Sequence, residues 1–324
     1  MDIQAGVAQA ASLLWPELTG AVPRLINYSE NHTFLLAAPG GAAYTLRVHR
    51  PDYQDSASID SELAWLGALH RDTDLPVPLA VPGRDGRLIQ QVTTHDGLSR
   101  HAVLFRFIEG AEPSPSDDLV GLFGVLGEYA ARLHAHAADW TRPSGFMRQA
   151  WNAKSILDAN GLWGDWRVAP GVTPAIRIIL DRSSDQLQAR LGRYGMAPNR
   201  YGLIHADMRL GNILVDGSRV SLIDFDDCGL CWFTYDFAAA ISFYETSKTV
   251  PELKAAWLDQ YCAHRALDPQ DIAEIDSMIL LRRMALLAWI GSHAETDLAQ
   301  THQAGFAEGT ADLAERYLAG AIWP

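Results

Sequence analysis

Two short apolar runs that stop abruptly in polar side chains constrain this chain more than any other feature. Leu203-Ile204 leads into His205-Ala206-Asp207, with Asn212 shortly after. Ile213-Leu214-Val215 and Val220-Ser221-Leu222-Ile223, broken by Asp216-Gly217, lead into Asp224-Phe225-Asp226-Asp227. The stretch 202–226 reads as a polar hairpin. Strands that end in Asp, Asn and Asp are poorly suited to packing, because a buried carboxylate without a partner is costly. Metal and phosphate would supply the partners. Mg²⁺ takes hard oxygen ligands, usually one or two protein groups plus substrate phosphates.

Around this hairpin the periodicity divides the chain in two. In the first third, Arg24–Leu36 and Ala42–His49 flank the turn signal Ala37-Ala38-Pro39-Gly40-Gly41 and predict a hairpin. Arg87–Val92 and Ala102–Ile108 flank Thr93–Arg100 in the same way. Between them one helix is expected from Ser58, as its N-cap, to Arg71, with Ile59, Leu63, Leu66 and Leu69 on one face. After Glu109–Pro115, the best hinge candidate, a 3.6-residue period begins at Asp117–Ala138 and returns at about 150–162, 173–194, 234–247, 251–265, 269–295 and 305–319. The expected architecture is α+β in two lobes: 1–108, a small antiparallel sheet with one helix, and 109–324, mainly helical.

The spacing H-x-D-x-x-x-x-N, His205 to Asn212, followed twelve residues later by Asp224-Phe225, matches the catalytic loop and metal-binding aspartate of the kinase fold. With Asp-Phe-Asp in place of Asp-Phe-Gly, and Ala206 in place of Arg, the pattern resembles the aminoglycoside phosphotransferase and choline kinase-like family. The order of hairpin, helix, hinge and helical lobe resembles it over most of the chain. This resemblance implies an ATP- and Mg²⁺-dependent enzyme moving the γ-phosphoryl group to a hydroxyl of a small molecule. Asp207 would accept the hydroxyl proton, Asn212 and Asp224 would hold Mg²⁺, and His205 would orient the loop. Arg47 stands where the fold places its strand lysine, and Glu62, on the inward side of the single helix, is its candidate ion-pair partner; the alternative for Arg47 is a surface position on a strand. The phosphate-covering turn would be Tyr28–Thr33. It has no glycine, so Ser29, Asn31 and Thr33 are its side-chain donors, unless it is an ordinary polar turn. Phe107 and Ile108 would carry the backbone that reads the adenine edge.

Between Asp224 and Asp236 only Phe225–Tyr235 intervene, too short for the activation segment of a protein kinase. Asp226, Asp227, Trp232 and Tyr235 are the candidate acceptor-lining residues, with carboxylates for an ammonium group and aromatic faces for a cation; Asp227 suits a structural role equally. Asp236 is expected to brace the catalytic loop from a helix start. Trp151, Arg282 and Arg283 fall on helices expected to face the same cleft, where aromatics usually pack and cations usually stay solvated. His134 and His136, two apart, do not share a helix face and make no metal pair. With 26 basic and 39 acidic residues the net charge is −13, which opposes nucleic acid and anionic lipid and suits a cationic acceptor. No apolar run reaches the roughly 18 residues of a membrane span, and the start MDIQAGVAQAASLLW lacks a basic leader. Three cysteines suit a reducing cytoplasm, and Cys228-x-x-Cys231 has no second pair to complete a zinc site. The competing functions are a compact Ser/Thr protein kinase of the stress-response type and a nucleotide-binding pseudokinase.

Overall fold

In the computed structural model, which describes residues 3–28, 31–50, 54–93 and 97–323, the apolar runs of the first third form one antiparallel sheet. Its strands are Val22–Tyr28 (β1), Asn31–Ala37 (β2), Ala43–His49 (β3), Ala80–Val81 (β4), Gln90–Thr93 (β5) and Ser99–Arg106 (β6). They run in the order β1-β2-β3-β6-β4, with β5 also on β6. Arg24–Leu36 is therefore two strands rather than one. Residues 29–30 between the two strands, with neither Gly nor Pro in the sequence, lie outside those described. Phe34, Leu36, Leu46, Val48, Val92, Ala102 and Leu104 bury one face of the sheet.

That face is covered by a helix the periodicity did not announce, Ile3–Leu14 (α1). Its Val7 and Ala11, with Trp15 after it, are fully buried at a four-residue spacing, but residues as small as alanine make a weak apolar stripe. The expected helix is Ser56–Asp72 (α2). Asp55, not Ser58, caps it, accepting from Ser58 N at 2.7 Å. Ile59, Leu63, Leu66 and Leu69 form its buried face as expected.

The helical part contains Val120–Asp139 (α3), Ala153–Leu157 (α4), Pro174–Tyr194 (α5), Tyr235–Ala240 (α6), Val250–His264 (α7), Pro269–Ala273 (α8), Ile275–Ser292 (α9), Asp297–Gln303 (α10) and Phe306–Ala319 (α11). α3 and α7 lie so close that a Cβ on Gly127 would sit 2.2 Å from the Trp257 carbonyl oxygen, which only glycine permits. On α9 every side chain from Ser277 to Ile290 is buried, as expected of a helix apolar nearly all round. Of the polar stretch, Tyr201–Ile204 (β7) pairs with Gly229–Trp232 (β10), while Ile213–Asp216 (β8) and Arg219–Leu222 (β9) form the hairpin, turning at Gly217. The two strands that carry the acids thus belong to different ladders.

Packing groups Met1–Gly110 with Thr141–Arg148 and Ser221–Asp226; Ala111–Trp140, Gln149–Val220 and Asp227–Pro324 form a second unit. The segment 221–226 is drawn to the first unit by Leu222 N on Pro76 O at 3.0 Å and by Phe225 edge-on to Trp65 at 5.5 Å. Among the described residues no helix is long and apolar enough to cross a membrane.

Candidate active site

In the first unit the strand register puts four polar side chains on one sheet face. Asn31 lies opposite His49 and Thr33 opposite Arg47, and residues two apart on a strand point the same way. Arg47 reaches Glu62 of α2 at 2.6 Å, Asp224 at 3.6 Å and Asp226 at 4.0 Å. Burial pushes the Glu62 carboxyl up and Arg47 pulls it down. Burial is the larger effect, so the Glu62 carboxyl stands above its ordinary value beside the permanently charged Arg47. Glu62 and Arg47 are both buried, whereas the Asp224 side chain is 39% exposed. Asp224 has φ +60, a left-handed conformation that aspartate tolerates better than most residues but that its surroundings must hold.

Asp226 departs from its expected place. It is buried, its carboxylate accepting from Asn31 Nδ2 at 2.8 Å and facing Arg47, while its main-chain oxygen accepts from Gln54 and Arg148. Burial opposes its charge, but Arg47 and Arg148 outweigh burial and hold the carboxyl below its ordinary range. Asp226 is a tie within the first unit, not an acceptor-lining group, and Asn31 is spent on it. Thr33 is half-buried on β2, and Phe107, whose N–H donates to Ala43 O at 3.1 Å, and Ile108 are half-buried beyond β6. Ser29 lies outside the described residues.

His49 is buried beside these charges, with neither ring nitrogen partnered among the described residues. Burial and then Arg47 hold its pKa down to about 3. Below about pH 6.5 the unfolded chain takes up a proton that the folded His49 refuses until about pH 3, so stability falls with acid across that window. Urea unfolding followed from pH 7 to pH 4 is expected to show a limb that His49→Leu flattens by about 1.4 kcal/mol per pH unit.

In the second unit Asp207 follows Ala206, itself at φ +67. Asp236, at the start of α6, holds that strained turn: its carboxylate accepts from His205 N at 3.2 Å and Ala206 N at 2.7 Å. It also pairs with His134 Nε2 at 2.9 Å, and His134 Nδ1 lies 2.9 Å from the Tyr261 hydroxyl. Burial lowers the His134 pKa, so a neutral ring donates from Nε2 and accepts at Nδ1. Asn212, on a single 3₁₀ turn at Leu210–Asn212, donates both Nδ2 hydrogens to Asp207, to Oδ2 at 2.7 Å and to its carbonyl at 2.9 Å. The amide oxygen of Asn212 is left as its acceptor atom.

Arg282 of α9, expected on a helix facing the cleft with a solvated position as the commoner alternative, is 1% exposed. Its Nη2 is ion-paired to Asp207 Oδ1, its Nη1 reaches Ala206 O at 3.4 Å, and its Nε donates to Ser242 Oγ at 3.0 Å. Arg209 Nε stands 3.4 Å from Asp207 Oδ2. Burial opposes ionisation of Asp207, yet Arg282 and Arg209 outweigh it and hold the carboxyl below its ordinary range. The neighbouring Arg283 is likewise buried, against Glu245 at 2.5 Å.

Trp232 and Tyr235 do not line an acceptor site. Trp232 is buried, donates from Nε1 to Gly195 O at 2.7 Å and packs on Tyr194 and Tyr201; Tyr235 is fully buried. Aromatics expected to line an acceptor pocket are core side chains instead. Asp227 is half-buried, its carbonyl accepting from Trp151 Nε1 at 2.7 Å. Cys231 Sγ donates to Trp151 O and, like Cys228, is a buried free thiol.

Each unit thus presents hard oxygen donors, Asp224 in one and Asp207 and Asn212 in the other. Among the described residues no group of three or more His, Cys, Asp and Glu could hold a metal alone. Mg²⁺ shared with phosphates needs only one or two protein oxygens, and the oxygens in each unit are of the type it takes.

A model of the phosphotransferase enzyme family matches residues 24–275. The chain belongs to that family. This phosphotransferase is 42% identical to the microcompartment-associated aminopropanol kinase, whose structure it matches with a TM-score of 0.89 over 98% of both chains. It is 32% identical to the homoserine kinase of Methylobacterium sp. (strain 4-46), over 81% of this chain and 76% of that one. The amicoumacin kinase hAmiN, in complex with AMP-PNP, Ca²⁺ and Ami, shares the fold, with 21% identity, 98% of this chain and 94% of that one covered, and a TM-score of 0.77. The phosphotransferase is accordingly a small-molecule kinase of the kinase-like α+β fold, as its sequence predicted.

Proposed function

We propose that this kinase transfers the γ-phosphoryl group of ATP to the hydroxyl of a small amino alcohol in the cytoplasm. The observation that carries the acceptor class is the 42% identity, over 98% of both chains, to an aminopropanol kinase. The net charge of −13 favours the approach of an ammonium-bearing acceptor.

In this reading residues 1–108 form the nucleotide lobe and 109–324 the lobe of the catalytic loop and acceptor. Arg47, fixed by Glu62, pairs with the α- and β-phosphates, and the backbone at Phe107 and Ile108 meets the base. Asn212 and Asp224 would hold Mg²⁺, which would neutralise charge on the phosphates. Asp207, ionised because Arg282 and Arg209 favour its charge, accepts the hydrogen bond of the acceptor hydroxyl and takes its proton as the new bond forms. A weakly basic carboxylate suffices where the transition state is loose and the proton leaves late. Of the four residues read as acceptor-lining, Asp227 remains half-exposed, and it takes the ammonium group. A protein acceptor is disfavoured because β10, paired along β7, occupies the stretch where a protein kinase carries its activation segment.

The test compares kcat/KM for 1-amino-2-propanol, ethanolamine, homoserine and 1,2-propanediol by coupled ADP release. The amino alcohols are expected to lead the diol by about tenfold or more, the worth of one charge-assisted hydrogen bond. A preference for homoserine would contradict the acceptor class.

A further inference from the structure

Thr141–Arg148 is an irregular segment that packs with the first unit although the chain has already entered the second. Its residues are exposed or half-buried, with one exception. Arg148 is 8% exposed, and burying an arginine is costly unless its donors are taken up. They are. Nη1 donates to Ser58 O at 3.1 Å and to Ser58 Oγ at 2.8 Å, in the first turn of α2, and Nη2 donates to the main-chain oxygen of Asp226. Next to it, Met147 N donates to Ser61 Oγ of the same helix at 2.8 Å.

These bonds close a ring. α2 carries Glu62, which holds Arg47; Arg47 and Asn31 hold the Asp226 carboxylate; Arg148 returns from Asp226 to α2. Two residues before Asp226, inside that ring, stands Asp224, in a left-handed backbone that does not hold itself. A planar guanidinium with forked donors can bridge Ser58 and Asp226 at once, which a lysine ammonium cannot reproduce.

We propose that Arg148 is a positioning residue of this kinase: it locks the start of α2 to Asp226, and so fixes the carboxylate of Asp224 in the orientation that receives the nucleotide-bound cation. This rests on the reading of Asp224 as a cation ligand. The consequence is a helix α2 seated without any activating modification, by a residue delivered from later in the chain.

The test is calorimetric binding of AMP-PNP to the full chain, with and without Mg²⁺, which needs no acceptor. In Arg148→Met and Arg148→Lys the gain in affinity conferred by Mg²⁺ is expected to fall by about tenfold, while metal-free affinity stays within about twofold. Either variant decides the matter if the other fails to fold, and thermal melting identifies the folded one. Asp224→Ala, measured alongside, is expected to lose the gain altogether. If a folded Arg148 variant keeps the wild-type gain while Asp224→Ala loses it, or if affinity falls equally with and without Mg²⁺, the proposal is overturned. If Asp224→Ala keeps the gain, the reading of the cation site fails and the proposal falls with it.

Discussion

Asp207→Asn is expected to lower kcat by about 10²–10⁴-fold, the usual worth of a positioned base, with little change in KM for Mg·ATP. In the wild type each carboxylate oxygen faces a donor: Oδ1 the Arg282 guanidinium, Oδ2 the Asn212 amide and, at 3.4 Å, Arg209. An asparagine has one acceptor oxygen and must turn an NH₂ toward one of those donors. The variant therefore loses the proton acceptor, while Asn212 keeps its bond to the main-chain carbonyl of residue 207. Steady-state kinetics with both substrates varied check this, and loss of Mg·ATP binding in parallel with kcat would assign Asp207 to the nucleotide instead.

Arg282→Met is the second large effect, and it is readable as a shift in pH dependence. With Arg282 present the Asp207 carboxyl is held below the ordinary carboxylate range, so the acid limb of kcat/KM lies low. Without it, burial is opposed by the weaker pull of Arg209, His205 and Asn212, and the limb moves to higher pH. Stability follows the same sign. A carboxylate whose folded pKa is depressed stabilises the protein above its unfolded pKa and loses that contribution as pH falls through the folded value. Removing one partner of a buried pair costs about 3–5 kcal/mol. The lower end is expected at pH 7, because two other donors remain on Asp207, and the difference from wild type should shrink toward pH 3. Urea unfolding at both pH values checks it; an acid limb unmoved in a folded variant would remove Arg282 from the positioning of Asp207.

The candidate site was legible where spacing alone encodes it. His205, Asp207, Asn212 and Asp224 stand at intervals that a short loop and a hairpin enforce, and the structure ties Asp207 to Asn212 as that spacing implies. Asp236 was likewise readable as a brace, since an acid opening a buried helix needs donors and the loop amides supply them. The Arg47–Glu62 pair followed from the resemblance, which places a strand cation beside an inward carboxylate of the single helix. What escaped reading depends on contacts distant in sequence. Arg282 sits among apolar neighbours on a helix buried all round, and periodicity cannot say which neighbour takes its charge. Arg148 lies in a segment with no period at all. Trp232, Tyr235 and Asp226 were misplaced for one reason: proximity in sequence to Asp224 says nothing about which side of the chain is covered. α1 was missed because alanines pack closely yet leave only a faint apolar stripe.

The central claim is phosphoryl transfer to an amino alcohol, and ³¹P NMR of the wild-type chain with ATP, Mg²⁺ and 1-amino-2-propanol tests it most directly. A new phosphomonoester resonance growing in step with ADP, and absent without the amino alcohol, is the predicted result. ADP formed with only inorganic phosphate beside it, or no turnover of ATP with any amino alcohol, would contradict it.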